Sequence, residues 1–410
     1  MNPRYKWYIV GMLWWIAFFN YADRQAIFSL FPLLEKEFHL SLAQLGLLGS
    51  SFAWAYGLCA PFAGHIVDRV RRKSAILGGL HAWSAICMAT ALARNFGGLL
   101  CFRTAEGIGE SLYFPGSVSL ISDYHGGATR SRALGIHQTS VYIGTIAGGA
   151  FAGLIGQAYG WRWSFLVFGG LGVALGLLLK RFLAEPERGA ADLAPGRHAQ
   201  RIPTREFLRI VWGTPTVALL MAAFLCANFV AVVLLSWMPK FLYDRFHLSL
   251  AAAGLTATVF VQLASMAGSP LGGWLADVLR KRTPAGRLLV QAVGVFGGAP
   301  FMVLCALTAS VKWLVLALIA WGFLKGLYDA NIFASMFDVI RPEARGTAAG
   351  FMNMTGWLGG GIAPLAIGYV AQSRGLSFAI ASAAAAYLVA GALLLAAVCL
   401  RWGGPPGLPS

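Results

Sequence analysis

An apolar stretch between residues 97 and 120 contains three ionisable side chains, Arg103, Glu106 and Glu110. In a helix, Arg103 and Glu110 lie two turns apart on one face, with Glu106 about one turn from each. Each charge at the centre of a bilayer costs about 2.5–3.5 kcal/mol on insertion scales. A helix that keeps three such charges is expected to place them in a wet or paired interior. We therefore predict that this helix lines a polar pathway.

Asp23 and Arg24 stand late in the first apolar stretch and form a second charged group. Burial favours the neutral form of a carboxylate and a nearby arginine favours the charged form, which suits proton uptake and release. Arginine also forms bidentate hydrogen bonds with a carboxylate or phosphate. One interpretation makes Asp23 and Glu110 the proton sites. In the same interpretation, Arg24 and Arg103 bind an anion. The alternative is that the charges form structural ion pairs that fix helix packing, with Glu106 as an intrahelical partner of Arg103.

Other polar side chains within the apolar stretches are candidate substrate contacts, and each is also explained as an interhelical hydrogen bond. Lys325 and Asp329 are one helical turn apart and can neutralise each other. His137 can titrate near neutral pH, although lone histidines are more often hydrogen-bonded packing residues. Beyond the two arginines, the predicted substrate contacts are Tyr21, His137, Gln138, Lys325, Tyr328 and Asn353.

The composition of the 410-residue chain is that of a membrane protein. Hydrophobic residues make up 58% of the chain and charged residues 12%, whereas a soluble domain has about 25% charged residues. Apolar runs of membrane-spanning length recur along the whole chain. We predict an all-α integral membrane protein with twelve transmembrane helices in two pseudo-symmetric six-helix bundles. The predicted helices cover residues 7–30, 44–66, 74–94, 97–120, 133–158, 163–183, 214–238, 251–275, 287–308, 312–338, 346–371 and 377–401.

A polar and basic segment divides the twelve helices into two halves. Residues 1–183 form the predicted N-terminal bundle, 184–212 a linker and 213–410 the C-terminal bundle. Most of the 32 lysines and arginines fall on the side of this linker and of both termini. The positive-inside rule therefore places all three in the cytoplasm and the chain in the cell (inner) membrane as a multi-pass protein. The net charge of +16 indicates contact with the anionic headgroups of a lipid bilayer, so we expect no nucleic-acid partner. We also expect a monomer.

Sequence signals for other classes of protein are missing. The six cysteines lie in apolar stretches without a CxxC or metal-ligand spacing, so we expect no disulfide framework, no metal and no cofactor. The sequence has no Walker loop, HExxH, GxSxG or dinucleotide fingerprint. This argues against an enzyme and against an ATP-driven pump.

Two similar segments indicate an internal repeat. Gly64–Lys73 follows the second predicted helix and Gly273–Arg282 follows the eighth, and each begins with Gly-xxx-Asp and ends in basic residues. Gly64–Lys73 resembles the loop 2–3 signature of the major facilitator superfamily, G-x-x-x-D-R-x-x-R-R/K. The segment Arg103-x-x-x-Gly107-x-Gly109 resembles the helix 4 motif that this superfamily associates with proton coupling. The resemblance extends over nearly the whole chain and implies two six-helix halves with a site between them.

Two further segments, Asn20-Tyr21-Ala22-Asp23-Arg24 and Gly107-Ile108-Gly109-Glu110, resemble the anion:cation symporter family within this superfamily. That family includes bacterial hexuronate and aldonate carriers. The resemblance implies a secondary active transporter that moves a small organic anion, a sugar acid or other carboxylate, by alternating access coupled to protons. Spinster-like lipid carriers share similar motifs. The alternative is therefore a Spinster-like carrier of lysophospholipids or other amphipathic lipids.

The two loop segments carry charges that the resemblance assigns to a network between helices. Such a network would stabilise one conformation of a carrier instead of binding its substrate. A run of solvated loop charges is the simpler alternative. The predicted conformational network comprises Asp68, Arg69, Arg72, Asp277 and Arg280.

Overall fold

The computed structural model of the chain describes residues 4–126, 129–186, 213–340 and 345–402. Every regular element in these ranges is an α-helix. The helices are α1 (Tyr5–Ser29), α2 (Phe31–Phe38), α3 (Leu42–Arg69), α4 (Arg72–Thr90), α5 (Phe96–Glu110), α6 (Tyr113–Tyr124), α7 (Arg130–Tyr159), α8 (Trp161–Phe182), α9 (Pro215–Phe246), α10 (Leu250–Arg280), α11 (Gly286–Leu307), α12 (Val311–Asp329), α13 (Ile332–Phe337), α14 (Arg345–Arg374), α15 (Leu376–Ser382) and α16 (Ala384–Trp402).

The helices follow the predicted apolar segments. Each predicted segment coincides, over the described residues, with one helix or with two consecutive helices. The fourth predicted helix is divided into α5 and α6 after Glu110, the tenth into α12 and α13 after Asp329, and the twelfth into α15 and α16 after Ser382. Hydropathy indicates the total length of an apolar run but not a break of one or two residues within it. Each such pair is therefore predicted as one helix.

The short helix α2 is not among the predicted helices. It follows α1 directly, has Pro32 in its first turn, and ends before His39, whose φ of 50° is left-handed. Leu34 on its apolar face is buried, while Glu35 forms an ion pair with Lys240 of α9. An eight-residue helix is shorter than the window in which helical periodicity is recognised.

Nine of the predicted membrane helices are long and apolar enough, within the described ranges, to cross a membrane. The first, third and fourth predicted helices are not among these nine. Of these, α1 contains Asp23 and Arg24, and α5 contains Arg103, Glu106 and Glu110. The described chain is that of a multi-pass membrane protein whose least apolar spans hold the candidate site.

The described residues form two compact units. Unit 1 comprises those of Met1–His198, Val233–Gln262 and Gly361–Leu376. Unit 2 comprises those of Ala199–Val232, Leu263–Gly360 and Ser377–Ser410.

Close helix contacts hold α1 and α5 in place within unit 1. The buried side chains of Ile9 and Leu13 on α1 belong to one apolar cluster with Trp83 on α4. Gly148 of α7 lies against the backbone of Ala22, and a methyl group there would collide with the carbonyl oxygen of Ala22. Gly107 of α5 lies in the same way against the carbonyl oxygen of Phe52 on α3. These two approaches place the charged positions of α1 and α5 beside their neighbouring helices.

Hydroxyl and amide groups join the helices of unit 2. Ser265 Oγ on α10 donates a hydrogen bond to the carbonyl oxygen of Gly322 on α12 at 2.9 Å. Asn331 Nδ2, just after α12, donates to the carbonyl oxygen of Gly272 on α10 at 3.0 Å. Hydrogen bonds of this kind between helices suit an apolar environment, where water cannot satisfy the same groups. They fix the part of α12 that carries Lys325 and Asp329.

Candidate functional site

Arg24 of α1 and Glu110 of α5 form a buried ion pair in unit 1. Arg24 Nη2 donates to Glu110 Oε2 at 2.5 Å, and Arg24 Nε donates to the same oxygen at 3.1 Å. Arg24 Nη2 also donates to Asn20 Oδ1 at 3.1 Å. Glu110 is fully buried, whereas the side chain of Arg24 is 9% exposed. The pair therefore links two helices.

Three aromatic rings surround the guanidinium of Arg24. Its central carbon lies 4.5 Å from the ring centre of Tyr21, 5.0 Å from that of Phe52 and 4.8 Å from that of Tyr56. Contacts of this kind attract the cation to the ring faces and restrict its orientation. Tyr21, a predicted substrate contact, is half-buried at this position.

Arg103 pairs with a carboxylate of its own helix. Its Nη1 forms an ion pair with Glu106 Oε2 one turn further along α5, and both side chains are fully buried. The guanidinium also lies 4.8 Å from the ring centre of Phe52. The intrahelical pair that was one alternative for Glu106 is thus present. Nε and Nη2 of Arg103 are buried without a hydrogen-bond partner among the described residues.

Asp23 completes the charged cluster. Its Oδ1 accepts a hydrogen bond from the backbone N–H of Arg24 at 2.8 Å, and the residue is 2% exposed. A carboxylate oxygen of Asp23, a carboxylate oxygen of Glu106 and Sγ of Cys87 on α4 lie within 4.8 Å of one another. Two carboxylates and a thiol at this separation can hold a proton or a cation between them. The sequence analysis misses Cys87 because no local spacing relates α4 to α1 and α5.

The cluster carries a surplus of negative charge when every group is ionised. It contains the carboxylates of Asp23, Glu106 and Glu110 and the guanidinium groups of Arg24 and Arg103. All five residues are buried, and an uncompensated buried charge is costly. One bound proton makes the cluster neutral.

His137 and Gln138 lie outside this cluster. The hydroxyl of Tyr113 donates to the carbonyl oxygen of Leu13 at 2.6 Å, and it is 2.8 Å from Nε2 of His137. Because the hydroxyl has one proton, we assign the second hydrogen bond to an N–H donated by His137. His137 is 4% exposed, whereas Gln138 next to it is exposed.

The remaining predicted substrate contacts belong to unit 2. Lys325 Nζ forms an ion pair with Asp329 on the same helix. Tyr328 is 1% exposed and lies between them on α12. Asn353 of α14 is half-buried. The self-neutralising pair that was one alternative for Lys325 is therefore present.

The predicted conformational network is centred, in unit 1, on Arg72. Its guanidinium pairs with Asp123 at the end of α6 and, through Nε at 3.3 Å, with Glu185 Oε1. Glu185 Oε1 also accepts from the backbone N–H of Arg72 at 2.8 Å, which satisfies a free donor at the start of α4. Arg69 is exposed, and the side chain of Asp68 lies outside the described residues.

A matching network in unit 2 is centred on Arg287. Its Nη1 pairs with Asp338 Oδ1 at 2.6 Å and its Nη2 with Asp277 Oδ1 at 3.5 Å. Arg280 Nη2 lies 3.6 Å from Asp338 Oδ1. Of these residues, the sequence analysis names Asp277 and Arg280 but misses Arg287 and Asp338.

The two networks share a spacing that the sequence could have shown. Arg287 and Asp338 are 51 residues apart, and Arg72 and Asp123 have the same separation. Asp123, Glu185, Arg287 and Asp338 lie beyond the two loop motifs, so a search for the motif alone does not reach them. A search for charges repeated at equal spacing in both halves finds Asp123, Arg287 and Asp338.

Comparison with curated proteins finds transporters of anions and Spinster proteins. A probable galactarate/D-glucarate transporter of Escherichia coli (strain K12) is 24% identical over 400 residues, which cover 91% of this chain and 88% of the relative. The hexuronate transporter of Bacillus subtilis (strain 168) is 25% identical over 94% of this chain and 91% of its own length. Protein spinster of Drosophila melanogaster is 28% identical over 90% of this chain, which spans 62% of that protein.

Comparison with solved structures finds the same fold in a bacterial homologue of the human lysosomal transporter Spinster, crystallised in an inward-facing and unoccupied conformation. The TM-score is 0.87, with 22% identity, over 99% of this chain and 100% of that one. The matches confirm the resemblance to the superfamily and to both groups of carriers named from the sequence motifs. The family model of the Major Facilitator Superfamily matches residues 13–364 and 246–409. The chain belongs to the Major Facilitator Superfamily.

Proposed function

We propose that this protein is a secondary active transporter that moves a small organic anion, a sugar acid or other carboxylate, by alternating access coupled to protons. The observation that carries the proposal is the buried ion pair between Arg24 and Glu110, which joins two helices beside three aromatic rings. The names of the galactarate/D-glucarate and hexuronate transporters support the same class of substrate.

The binding step uses the planar guanidinium of Arg24. A carboxylate of the substrate competes with Glu110 for its N–H groups, because both offer carboxylate oxygens to the guanidinium. The rings of Tyr21, Phe52 and Tyr56 hold the guanidinium in one orientation during this exchange. His137, Gln138, Lys325, Tyr328 and Asn353 are also proposed as substrate contacts.

The coupling step follows from the charge that the substrate brings. When the anion pairs with the guanidinium of Arg24, Glu110 loses its counter-ion while it is still buried. The neutral form of the Glu110 carboxyl is then favoured. Glu110 then takes up a proton, so that the anion and the proton enter the site together. Asp23 is the second proposed proton site.

The conformational step is assigned to the charge networks of Arg72 and Arg287. Each network joins helix ends within its own unit. Its ion pairs are proposed to favour one conformation of the carrier and to be weakened in the other. We also propose that both termini and the linker are cytoplasmic, that the protein resides in the inner membrane, and that one copy of the chain is sufficient for transport.

The test is uptake into proteoliposomes of purified protein. Radiolabelled D-glucarate, galactarate and a hexuronate are offered with an imposed pH gradient, acid outside, and without one. The proposal expects at least one of these acids to accumulate above its external concentration only with the gradient. Uptake that is the same with and without the gradient contradicts proton coupling, and the absence of uptake for all three together with other mono- and dicarboxylates contradicts the substrate class.

A Spinster-like lipid carrier is the second candidate function. The specific observation is the TM-score of 0.87 to the bacterial Spinster homologue, together with the match to protein spinster. A thermal-shift comparison separates the two candidates, since a ligand that binds the folded state raises its melting temperature. Stabilisation by lysophosphatidylcholine or lysophosphatidylethanolamine, without stabilisation by any sugar acid, favours the lipid carrier.

A further inference from the structure

The carboxyl groups of Asp23 and Glu106 face each other across two helices. A carboxylate oxygen of each residue and Sγ of Cys87 lie within 4.8 Å of one another. Both acidic residues are at most 2% exposed. Glu106 Oε1 is buried without a hydrogen-bond partner among the described residues. Sequence reasoning leaves Glu106 as a partner of Arg103, and the proposed function does not use it.

The other charges of the cluster leave Asp23 without a guanidinium of its own. Arg24 pairs with Glu110 and Arg103 pairs with Glu106. Within the described residues, the recorded hydrogen bond to the carboxylate of Asp23 comes from the backbone N–H of Arg24. Asp23 is therefore the carboxylate whose charge the cluster leaves uncompensated.

We propose that Asp23 and Glu106 hold one exchangeable proton between them, which makes Glu106 part of the coupling site and leaves Glu110 as the counter-ion of Arg24 until an anion binds. This inference rests on the proposed function for its role in transport, but the shared proton itself requires no substrate. Two buried carboxylates in proximity cannot both remain charged at low cost, and a shared proton removes one of the charges.

The other groups around this pair account for its charge state. The charged groups that act on Asp23 are Glu110, Glu106, Arg103 and Arg24. Glu106 interacts in turn with Asp23, Glu110, Arg103 and Arg24. Cys87, whose thiol donates to the carbonyl oxygen of Phe165 at 3.6 Å, is the neutral neighbour on α4. With two guanidinium groups and three carboxyls, a single proton gives a neutral cluster.

The donor set favours a proton over an alkali cation. A hard cation such as Na⁺ prefers several oxygen ligands, and the third donor here is a sulfur atom, which suits softer metals. In addition, Glu106 already pairs with a guanidinium, which repels a second cation. A proton needs only the two facing oxygen atoms.

The test uses a carbodiimide, dicyclohexylcarbodiimide, on the purified full-length protein without substrate. A protonated buried carboxyl gives its proton to a nitrogen of the reagent while its oxygen bonds to the carbodiimide carbon, and peptide mass mapping locates the product. The proposal expects about one label per chain, on Asp23 or Glu106, with Glu110 unlabelled. In Glu106→Gln, Arg103 loses its carboxylate and Asp23 becomes its counter-ion, so labelling of Asp23 falls about tenfold or more.

Several outcomes overturn the inference. It is wrong if Glu110 is labelled before Asp23 and Glu106, or if Asp23 in Glu106→Gln is labelled as fast as in the unsubstituted protein. Protection of the pair by NaCl but not by choline chloride identifies an alkali-cation site and also overturns it.

A spectroscopic measurement keeps the inference testable if the variant does not fold. The S–H stretching band of Cys87 is assigned by its loss in Cys87→Ala. The inference expects this band to shift with pH at the same midpoint as a carboxyl band, and a band that does not respond contradicts it. If the carbodiimide labels the pair but uptake of the acid does not depend on the pH gradient, only the proposed function is contradicted. If uptake depends on the pH gradient but neither Asp23 nor Glu106 is labelled, only this inference is contradicted.

Discussion

The guanidinium of Arg24 donates two hydrogen bonds to one oxygen of Glu110, from Nη2 at 2.5 Å and from Nε at 3.1 Å. We propose that the carboxylate held in this way is the group that a substrate carboxylate displaces. The substrate affinity and the proton affinity of the site are then linked through one cation.

Replacing Arg24 with lysine tests the binding step. Lysine keeps the positive charge but loses the planar fork that matches a carboxylate, and we expect KM for the transported acid to rise about tenfold to a hundredfold. Initial rates of uptake over a range of substrate concentrations measure this change. The matched control is Arg103→Lys, whose side chain is fully buried, and an equal rise in KM for both variants contradicts the assignment to Arg24.

Replacing Arg72 tests the unit 1 charge network. Arg72 is 2% exposed and pairs with Asp123 and Glu185, so Arg72→Gln removes the guanidinium from both ion pairs. We expect a loss of about 3 kcal/mol of stability, seen as a melting temperature several degrees lower in a thermal-shift assay. Arg69→Gln is the control because Arg69 is exposed. Equal melting temperatures for the two variants would show that the buried network does not stabilise the fold.

The ion pair between α2 and α9 is expected to contribute less to stability than the network of Arg72. Lys240 is 3% exposed and pairs with Glu35 and, at 2.8 Å, with Asp244. Glu35→Gln leaves Asp244 as a partner, and the carboxylate of Glu35 is itself 36% exposed, so we expect a loss of only about 1 kcal/mol. Denaturation of Lys36→Gln, which changes an exposed charge on the same helix, provides the baseline. Equal stability of the two variants would show that the ion pair between Glu35 and Lys240 does not stabilise the fold.

His125, in the loop after α6, makes the stability of unit 1 depend on pH. Burial lowers the pKa of His125, and the nearby charge of Lys6 acts in the same direction, although the Lys6 carbonyl 3.1 Å from Nε2 opposes it. The unfolded chain, with an ordinary pKa of about 6.5, therefore binds the proton more readily than the folded one. The stabilisation is present above this pH and is lost as the pH falls through it.

The measurement for His125 is the melting temperature between neutral and mildly acidic pH. We expect the decrease toward acid to be smaller in His125→Gln than in the unsubstituted protein, because the variant has no imidazole to protonate. The same decrease in both proteins would assign the acid sensitivity to other groups.

The sequence alone identifies the charged residues of the cluster but only part of their pairing. Asp23, Arg24, Arg103 and Glu110 stand out because charges are costly in apolar segments. The pair between Arg103 and Glu106 is one alternative from helical spacing, and it is present. The pair between Arg24 and Glu110 joins two helices, and no periodicity within one helix carries that information.

The sequence likewise predicts the long helices of the fold but not its local features. Twelve apolar segments predict the helices because the length of an apolar run reflects the thickness of the bilayer. The eight-residue helix α2 and the breaks after Glu110 and Asp329 are local features, so hydropathy does not predict them. Cys87 enters the site only because α4 packs beside α1 and α5, and its type and spacing in the sequence indicate nothing more than a packing residue.

The most direct test of the central claim is proton uptake when an anion binds. Purified protein in a weakly buffered solution is mixed with a transported sugar acid, and the change in pH is recorded with a soluble indicator. The account predicts about one proton taken up per bound anion, and it predicts that Glu110→Gln abolishes this uptake while still binding the acid. Binding without proton uptake, or unchanged uptake in Glu110→Gln, would contradict the claim that Arg24 exchanges Glu110 for the substrate.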